Sequence, residues 1–288
     1  NDWASLADIK GIGLIIRKSF FPEGISSFSG RTRAFLKIQD GCNNFCSYCK
    51  VALVRGSERS KKLREIIKEA KALVSRGYQE IVLTGICLGA YGKGLSEGDS
   101  HFSKLKWLSP MVDAKKDLVD VIGALEKIKG LSRIRLSSIE AGDVSLKLIR
   151  RMRKSKKLCR HLHIPIQSGD DAILKRMNRK YTSQKYLELI SKIKSAVPGV
   201  AITTDCLVGF PGETDESFRR TVRLIKKIQP LKTHIFPYSA RPGTKASQFS
   251  QPVNPRLINA RCGYLDKVAK QCRARFMRKF TGKKAVVL

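Results

Sequence analysis

The sequence predicts an α/β fold, a partial (β/α)6 barrel of the TIM type, and three observations carry that reading. Apolar runs of strand length alternate with amphipathic helical stretches between residues 35 and 239, the pattern of a parallel sheet with right-handed crossovers. Six such units can be traced, fewer than the eight of a closed α/β barrel. Residues suited to chemistry follow the strands, at the end of the fold where barrels keep their active sites.

The first strand is FLKIQD (35–40), and a cluster of cysteines follows it at once. KLREIIKEAKALVSRG (62–77) has helical apolar spacing and stops at Gly77. EIVLTG (80–85) reads as a buried strand leading into ICLGAYG, and a long polar loop (93–112) comes next. DLVDVIGALEKIKG (117–130) is a second amphipathic helix and RIRLSS (133–138) the third strand, followed by IEA. VSLKLIRRM (144–152) is helical, and RHLHIPIQS (160–168) is a strand stopping near Pro165, then GDD. His161 and His163 alternate along it and so share one side. Helices are expected at 170–177 and 183–196, the second closed by Pro198 and Gly199. VAITTDCLVG (200–209) is the fifth strand, running into GFPGE; SFRRTVRLIKKI (217–228) is a helix and THIFPYS (233–239) the sixth strand, ending in SARPG. Residues 255–279 form a basic helix expected to dock on the barrel.

Charge sets the class of partner. Against 24 Asp+Glu stand 57 Lys+Arg, a formal net charge of +33 spread along the chain. Residues 146–160 alone hold eight basic side chains and no acid. Such a surface attracts polyanions, with binding that weakens in salt, and points to a nucleic-acid partner. No apolar run approaches the ~20 residues needed to cross a bilayer. The start of the chain lacks the pattern of a secretory signal, so a reducing cytoplasm is the expected compartment.

Of eight cysteines, three fall within GCNNFCSYC (41–49) as Cys42, Cys46 and Cys49. A loop with this spacing can wrap three thiolates round one metal centre and leave one coordination position open, as reactive metal sites do. On spacing alone a zinc site completed by a remote ligand such as Cys87 or His163 stays open. Cys87, Cys159, Cys206, Cys262 and Cys272 lack motif partners and are expected in packing roles.

The string RTRAFLKIQDGCNNFCSYCKVALVRGSERS (31–60) resembles the methylthiotransferases of the radical S-adenosylmethionine (SAM) superfamily. The similarity continues, in order, through LTGICLGAYG, RIRLSSIEA, LHIPIQSGDDAILKRMNRKYT, DCLVGFPGETDESF and FPYSARPGT, covering nearly all of residues 31–245. RIRLSSIEA with GCNNFC is most similar to the branch that acts on N6-threonylcarbamoyladenosine beside the tRNA anticodon. Branches acting on isopentenyladenosine tRNA or a ribosomal protein, and a non-catalytic zinc RNA-binding protein, are the alternatives.

The resemblance implies a 4Fe–4S cluster on Cys42, Cys46 and Cys49, with SAM chelated at the fourth iron and cleaved by an electron to a deoxyadenosyl radical. It places Tyr48 near the SAM adenine, Thr84 and Gly85 near the methionine amino group, and Ser138 and Glu140 at the ribose. Gln167 and Ser168 follow the fourth strand. Arg179 could pair the SAM carboxylate or a tRNA phosphate, and Gly209, Gly212 and Glu213 would run along the adenine. It further implies tRNA and an electron-donor protein as partners, no membrane, and a second 4Fe–4S cluster in an N-terminal domain that is absent here. Residues 1–30 then read as a linker, 31–250 as the core, and 251–288 as the basic helix and the start of an RNA-binding β-domain. The oligomeric state is not legible.

Overall fold

A computed structural model of the chain describes residues 32–93 and 116–284. The expected linker, residues 94–112 of the long loop and the segment 285–288 lie outside the described residues.

In chain order the elements begin with β1 (Arg33–Lys37), β2 (Gln39–Asp40), α1 (Val51–Arg55), β3 (Arg59–Ser60), α2 (Leu63–Ser75) and β4 (Glu80–Thr84). They continue with α3 (Leu118–Leu125), β5 (Arg133–Leu136), α4 (Leu146–Lys154), β6 (His161–His163), α5 (Asp171–Arg176) and α6 (Ser183–Ala196). The last are β7 (Ala201–Val208), α7 (Asp215–Ile228), β8 (Lys232–Pro237) and α8 (Pro255–Arg278). β1, β4 and β5 form one parallel sheet and β6, β7 and β8 another, each in sequential order. Parallel bridges from Ile134 to Leu158 and from Ser138 to His163 join the two. The six expected strands therefore stand side by side as an open arc, a partial TIM-type barrel.

Helix starts are written locally. Asp117 and Asp120 form a capping box on α3, and Ser145, Asp170, Thr182, Thr214 and Asn254 cap the helices that follow. Along β7, Ile202, Thr204, Cys206 and Val208 are buried in the layer toward the helices, where Thr204 Oγ1 lies 3.4 Å from Tyr186 Oη of α6. Asp205 and Leu207 alternate with them and are only half-buried, on the inner face. Ile258, Leu265, Val268, Cys272 and Phe276 recur at helical spacing and seat α8 on β8 and α7.

Two strands differ from expectation. Residues 35–40 do not run as one: Ile38 still donates to Thr84 O (2.9 Å), but Gln39 and Asp40 turn to pair antiparallel with β3. β6 stops after three residues because Pro165 has no N–H and Gln167 takes a left-handed backbone, φ 62°. Ile164 and Ile166 still donate to Thr203 O and Asp205 O, so the register continues irregularly.

Candidate functional site

The cysteine loop leaves β2 through Gly41, whose φ of +74° and whose closeness to Ser57 O (2.0 Å from a built Cβ) admit only glycine. The loop is held from several directions. Cys42 N donates to Gly56 O (3.1 Å), Ser47 N to Met177 O (3.1 Å), and Ala246 N to Ser47 O (2.8 Å). Asn178 Nδ2 clamps the carbonyls of Asn44 (3.2 Å) and Phe45 (2.9 Å).

Cys42, Cys46 and Cys49 are half-buried free thiols, and each sulfur receives its own donor. Asn44 N lies 3.5 Å from Cys42 Sγ, Val51 N 3.4 Å from Cys49 Sγ, and Arg179 Nη1 3.4 Å from Cys46 Sγ. Donors aimed at sulfur favour thiolate ligands. Burial pushes the Cys46 thiol up, and Arg179 opposes it. The Cys87 thiol, buried beside them, holds Cys42 down to about 7 by hydrogen bonding, while its own titration is pushed up. Ligand atoms of Cys42, Glu58 and Cys87 lie within 4.8 Å of one another, so Cys87 is a neighbour of the cluster loop rather than only a packing residue. The donor set fits a thiolate-ligated cluster.

Beside Cys46 opens a cavity of about 260 Å³ lined by Asn44, Glu140, Asn178, Arg179 and Tyr181. Arg179 Nη2 pairs with Glu140, and its Nε and Nη2 lie 3.2 and 3.1 Å from Tyr181 Oη. Burial raises the Glu140 carboxyl, with Arg179 opposing. Arg179 stays protonated in spite of its burial because Tyr181 and Glu140 face it. A fixed guanidinium next to one cluster ligand can meet a carboxylate.

The other expected site residues spread round the same end of the barrel. Tyr48 packs edge-on to Phe210 (6.4 Å), and burial pushes its hydroxyl well up. Thr84 and Gly85 close β4, where a Cβ on Gly85 would lie 2.9 Å from Gln39 Cβ and Oε1. Gln39 in turn accepts from Cys87 N (2.7 Å) and donates to Gly41 O (2.9 Å), bracing the cysteine loop. Ser138 bridges to His163, and Gln167 to Cys206. Ser168 is buried and turned onto Thr221 Oγ1 (3.4 Å). Gly209 faces Ile258 and Gly212 faces Arg176, both side chains rather than open space. Glu213 is engaged by Arg261 Nη1 at 2.7 Å and accepts from Gly209 N at 3.2 Å. Ser168 and Glu213 are thus spent on protein contacts, and the cavity beside Cys46 gathers Glu140 and Arg179.

His161 and His163 share one side, as their alternation predicts, and that side is the barrel interior. Thr203 Oγ1 lies 3.1 Å from His161 Nε2 and 2.9 Å from His163 Nδ1, and His163 Nε2 is 3.1 Å from Asp205 Oδ2. Burial, with Arg135 and His163 adding to it, pushes His161 down to about 4. His163 joins Asp205 and His234 rather than the cysteines. Asp205, His234 and Arg261 escaped the sequence reading. For the first two the signal was their inward alternation on β7 and β8; Arg261 looks like any surface base of α8.

Residues 36–225 match the model of the Radical SAM superfamily. The chain is 42% identical over 268 residues to the threonylcarbamoyladenosine tRNA methylthiotransferase of Bacillus subtilis, a match covering 91% of this chain and 56% of that protein. It is 40% identical over 263 residues to the enzyme of the same name from Thermotoga maritima, again 91% and 56%. It is 42% identical over 229 residues to the tRNA-2-methylthio-N6-dimethylallyladenosine synthase of a Thermoanaerobacter species, with 80% and 45% covered. The chain thus spans about half the length of the curated relatives it matches. Among solved structures, the radical SAM methyltransferase TsrM of Kitasatospora setae superposes with a TM-score of 0.57 at 14% identity, over 75% of this chain and 38% of that one. Coproporphyrinogen III oxidase of Escherichia coli gives 0.54 at 14%, over 83% and 52%. At that identity the likeness shows the fold alone, and the fold is the open α/β arc described above. With the superfamily come a 4Fe–4S cluster and SAM, groups that the three-thiol loop fits. From the match over 36–225 and this architecture, the chain belongs to the radical SAM superfamily.

Proposed function

We propose that the chain is the radical SAM core of a tRNA methylthiotransferase acting on N6-threonylcarbamoyladenosine. The observation that supports this most is the three-thiol loop opening onto the Glu140–Arg179 cavity, in a chain about 40% identical to enzymes of that name. Cys42, Cys46 and Cys49 hold the cluster. Arg179, braced by Glu140 and Tyr181, receives the carboxylate of SAM. Tyr48, Thr84, Gly85, Ser138 and Gln167 line the approach, and Ser168, Gly209, Gly212 and Glu213 shape the loops behind it. When bound, the cluster and SAM supply a reductively generated radical that takes hydrogen from the substrate carbon. The protein orients SAM, excludes water and holds the base. Its basic surface receives the tRNA phosphates, an electron-donor protein supplies the reducing equivalents, and the working compartment is the cytoplasm. Among the described residues no helix is long and apolar enough to cross a membrane.

The test is to incubate reconstituted, reduced protein with SAM and tRNA carrying threonylcarbamoyladenosine, then quantify deoxyadenosine and the digested nucleosides. Deoxyadenosine release stimulated by that tRNA is expected. SAM cleavage indifferent to every tRNA would point to a different substrate.

A further inference from the structure

Below the cavity beside Cys46, the barrel interior holds a second cavity of about 370 Å³. Its wall from β6, β7 and β8 is polar, with His161, His163, Thr203, Lys232 and His234, and the opposite wall is mixed, with Phe35 and Val82 beside Arg33, Arg135, Ser137 and Ser138. Among the described residues, no acidic side chain lines it. Asp205 stands behind His163 at 3.1 Å, its side chain 24% exposed. The group adjoins the segment after β5 that leads to Glu140 of the upper cavity, since Ile139 N donates to His163 O (2.9 Å) and Ser138 bridges to His163.

Two of these side chains have polar atoms to offer. Lys232 is exposed and forms no ion pair among the described residues, unlike Arg33 and Arg135, which pair with Glu80 at 3.6 and 2.7 Å. His234 forms no hydrogen bond among the described residues; its ring is edge-on to His163 (5.7 Å) and stacked on Phe236 (6.5 Å, 13°), and a ring nitrogen lies within 4.8 Å of ligand atoms of His163 and Asp205. Phe236 is 49% exposed, and with His234 it offers an aromatic face of the kind on which an unstacked base can rest.

We propose that this cavity reads the substituent on N6 of the target adenine and, through Lys232 and His234, selects a carboxylate-bearing, hydroxylated group over a hydrocarbon one. The inference rests on the tRNA reading above and deepens it. Lys232 meets the carboxylate, and an imidazole N–H of His234 donates to the hydroxyl or to the carboxylate. A dimethylallyl group in the same place leaves an ammonium and an imidazole desolvated and unpaired. A site built to hydrogen-bond its ligand rejects an analogue that lacks those groups far more strongly than an apolar pocket rejects a change of size.

The test is binding, independent of turnover. Anticodon stem-loops carrying adenosine, N6-threonylcarbamoyladenosine or N6-dimethylallyladenosine at one position are titrated against the full chain by fluorescence anisotropy. The threonylcarbamoyl RNA is expected to bind at least about tenfold tighter than the dimethylallyl RNA, the size of one charge-assisted hydrogen bond. Lys232→Met and His234→Leu each reduce that ratio to below about threefold on the same scale, and Lys232→Arg retains it. Circular dichroism melts confirm that the variants fold. Equal binding of the three RNAs, or a ratio unmoved by both variants, overturns the inference and leaves the tRNA reading standing. Stoichiometric Co2+ binding abolished by Asp205→Asn makes His163, Asp205 and His234 a metal centre and overturns it too. Failure to bind any of the RNAs overturns both readings together.

Discussion

Arg261 ties α8 to the loop after β7, and its removal should be costly in a way that its partner's removal can repair. Both side chains are withdrawn from water, Arg261 at 5% exposed and Glu213 at 2%. The guanidinium donates to Glu213 Oε1 (2.7 Å), Glu213 O (3.1 Å) and Asp215 Oδ1 (2.6 Å), and lies over the Phe218 ring at 5.5 Å. Arg261→Met leaves Glu213 with one backbone donor, Gly209 N at 3.2 Å, inside a pocket that already raises its carboxyl by burial. An uncompensated buried charge of this kind costs about 3–5 kcal/mol. Glu213→Gln should cost less, about 1–2 kcal/mol, because Arg261 keeps Asp215 and Phe218. The double variant should be more stable than the sum of the singles by about 2 kcal/mol, the coupling expected of a contacting pair. Urea unfolding followed by circular dichroism measures all four proteins. A loss below about 1 kcal/mol for Arg261→Met, or simple additivity, would refute the reasoning. Isothermal titration with SAM adds a second readout: if Glu213 only braces the loop, the double variant binds SAM as the parent does.

Other outcomes follow from the same geometry. Cys42→Ala, Cys46→Ala and Cys49→Ala should each abolish cluster incorporation while Cys159→Ala leaves it intact, as iron and sulfide assays on reconstituted protein would show. His161 has a folded-state pKa of about 4, below its ordinary 6.5, so between those values the unfolded chain binds a proton that the folded one refuses. Stability should therefore fall as pH drops from 6.5 to 4, with up to about 3 kcal/mol of the loss missing in His161→Gln when unfolding is compared across that window. Removing Lys279, Lys283 and Lys284 together should make the slope of log tRNA affinity against log salt shallower by about 0.7–0.9 for each phosphate that the protein ceases to neutralise. Filter binding over a salt series checks it, and an unchanged slope would assign those lysines to a solvated face. Their side chains are placed to reach outward, with Lys279 and Lys283 resting on the Phe276 and Phe280 rings.

Most of the barrel was legible because local signals agree with the fold: α6 occupies 183–196 as its periodicity and Pro198 require. The break at Ile38 was not, since pairing of Gln39 and Asp40 with Arg59 and Ser60 is a tertiary choice between two partners. α1 was missed because VALVR is too short for periodicity to speak. At the site, the cysteine spacing announced the loop, but not that Cys87, 38 residues past Cys49 in sequence, would return beside Cys42. Glu140 and Arg179 meet only because β5 and the turn after α5 end at one rim. Asp205, His163 and His234 are ordinary singly, and parallel register alone brings them into one group.

The most direct test of the cluster assignment is low-temperature electron paramagnetic resonance of the anaerobically reconstituted, reduced protein, with and without SAM. Three thiolate ligands and one open iron require a 4Fe–4S signal that changes on adding SAM, and Arg179→Met should weaken that change while keeping the cluster. A protein that takes up zinc and no iron, or a cluster signal indifferent to SAM, would contradict it.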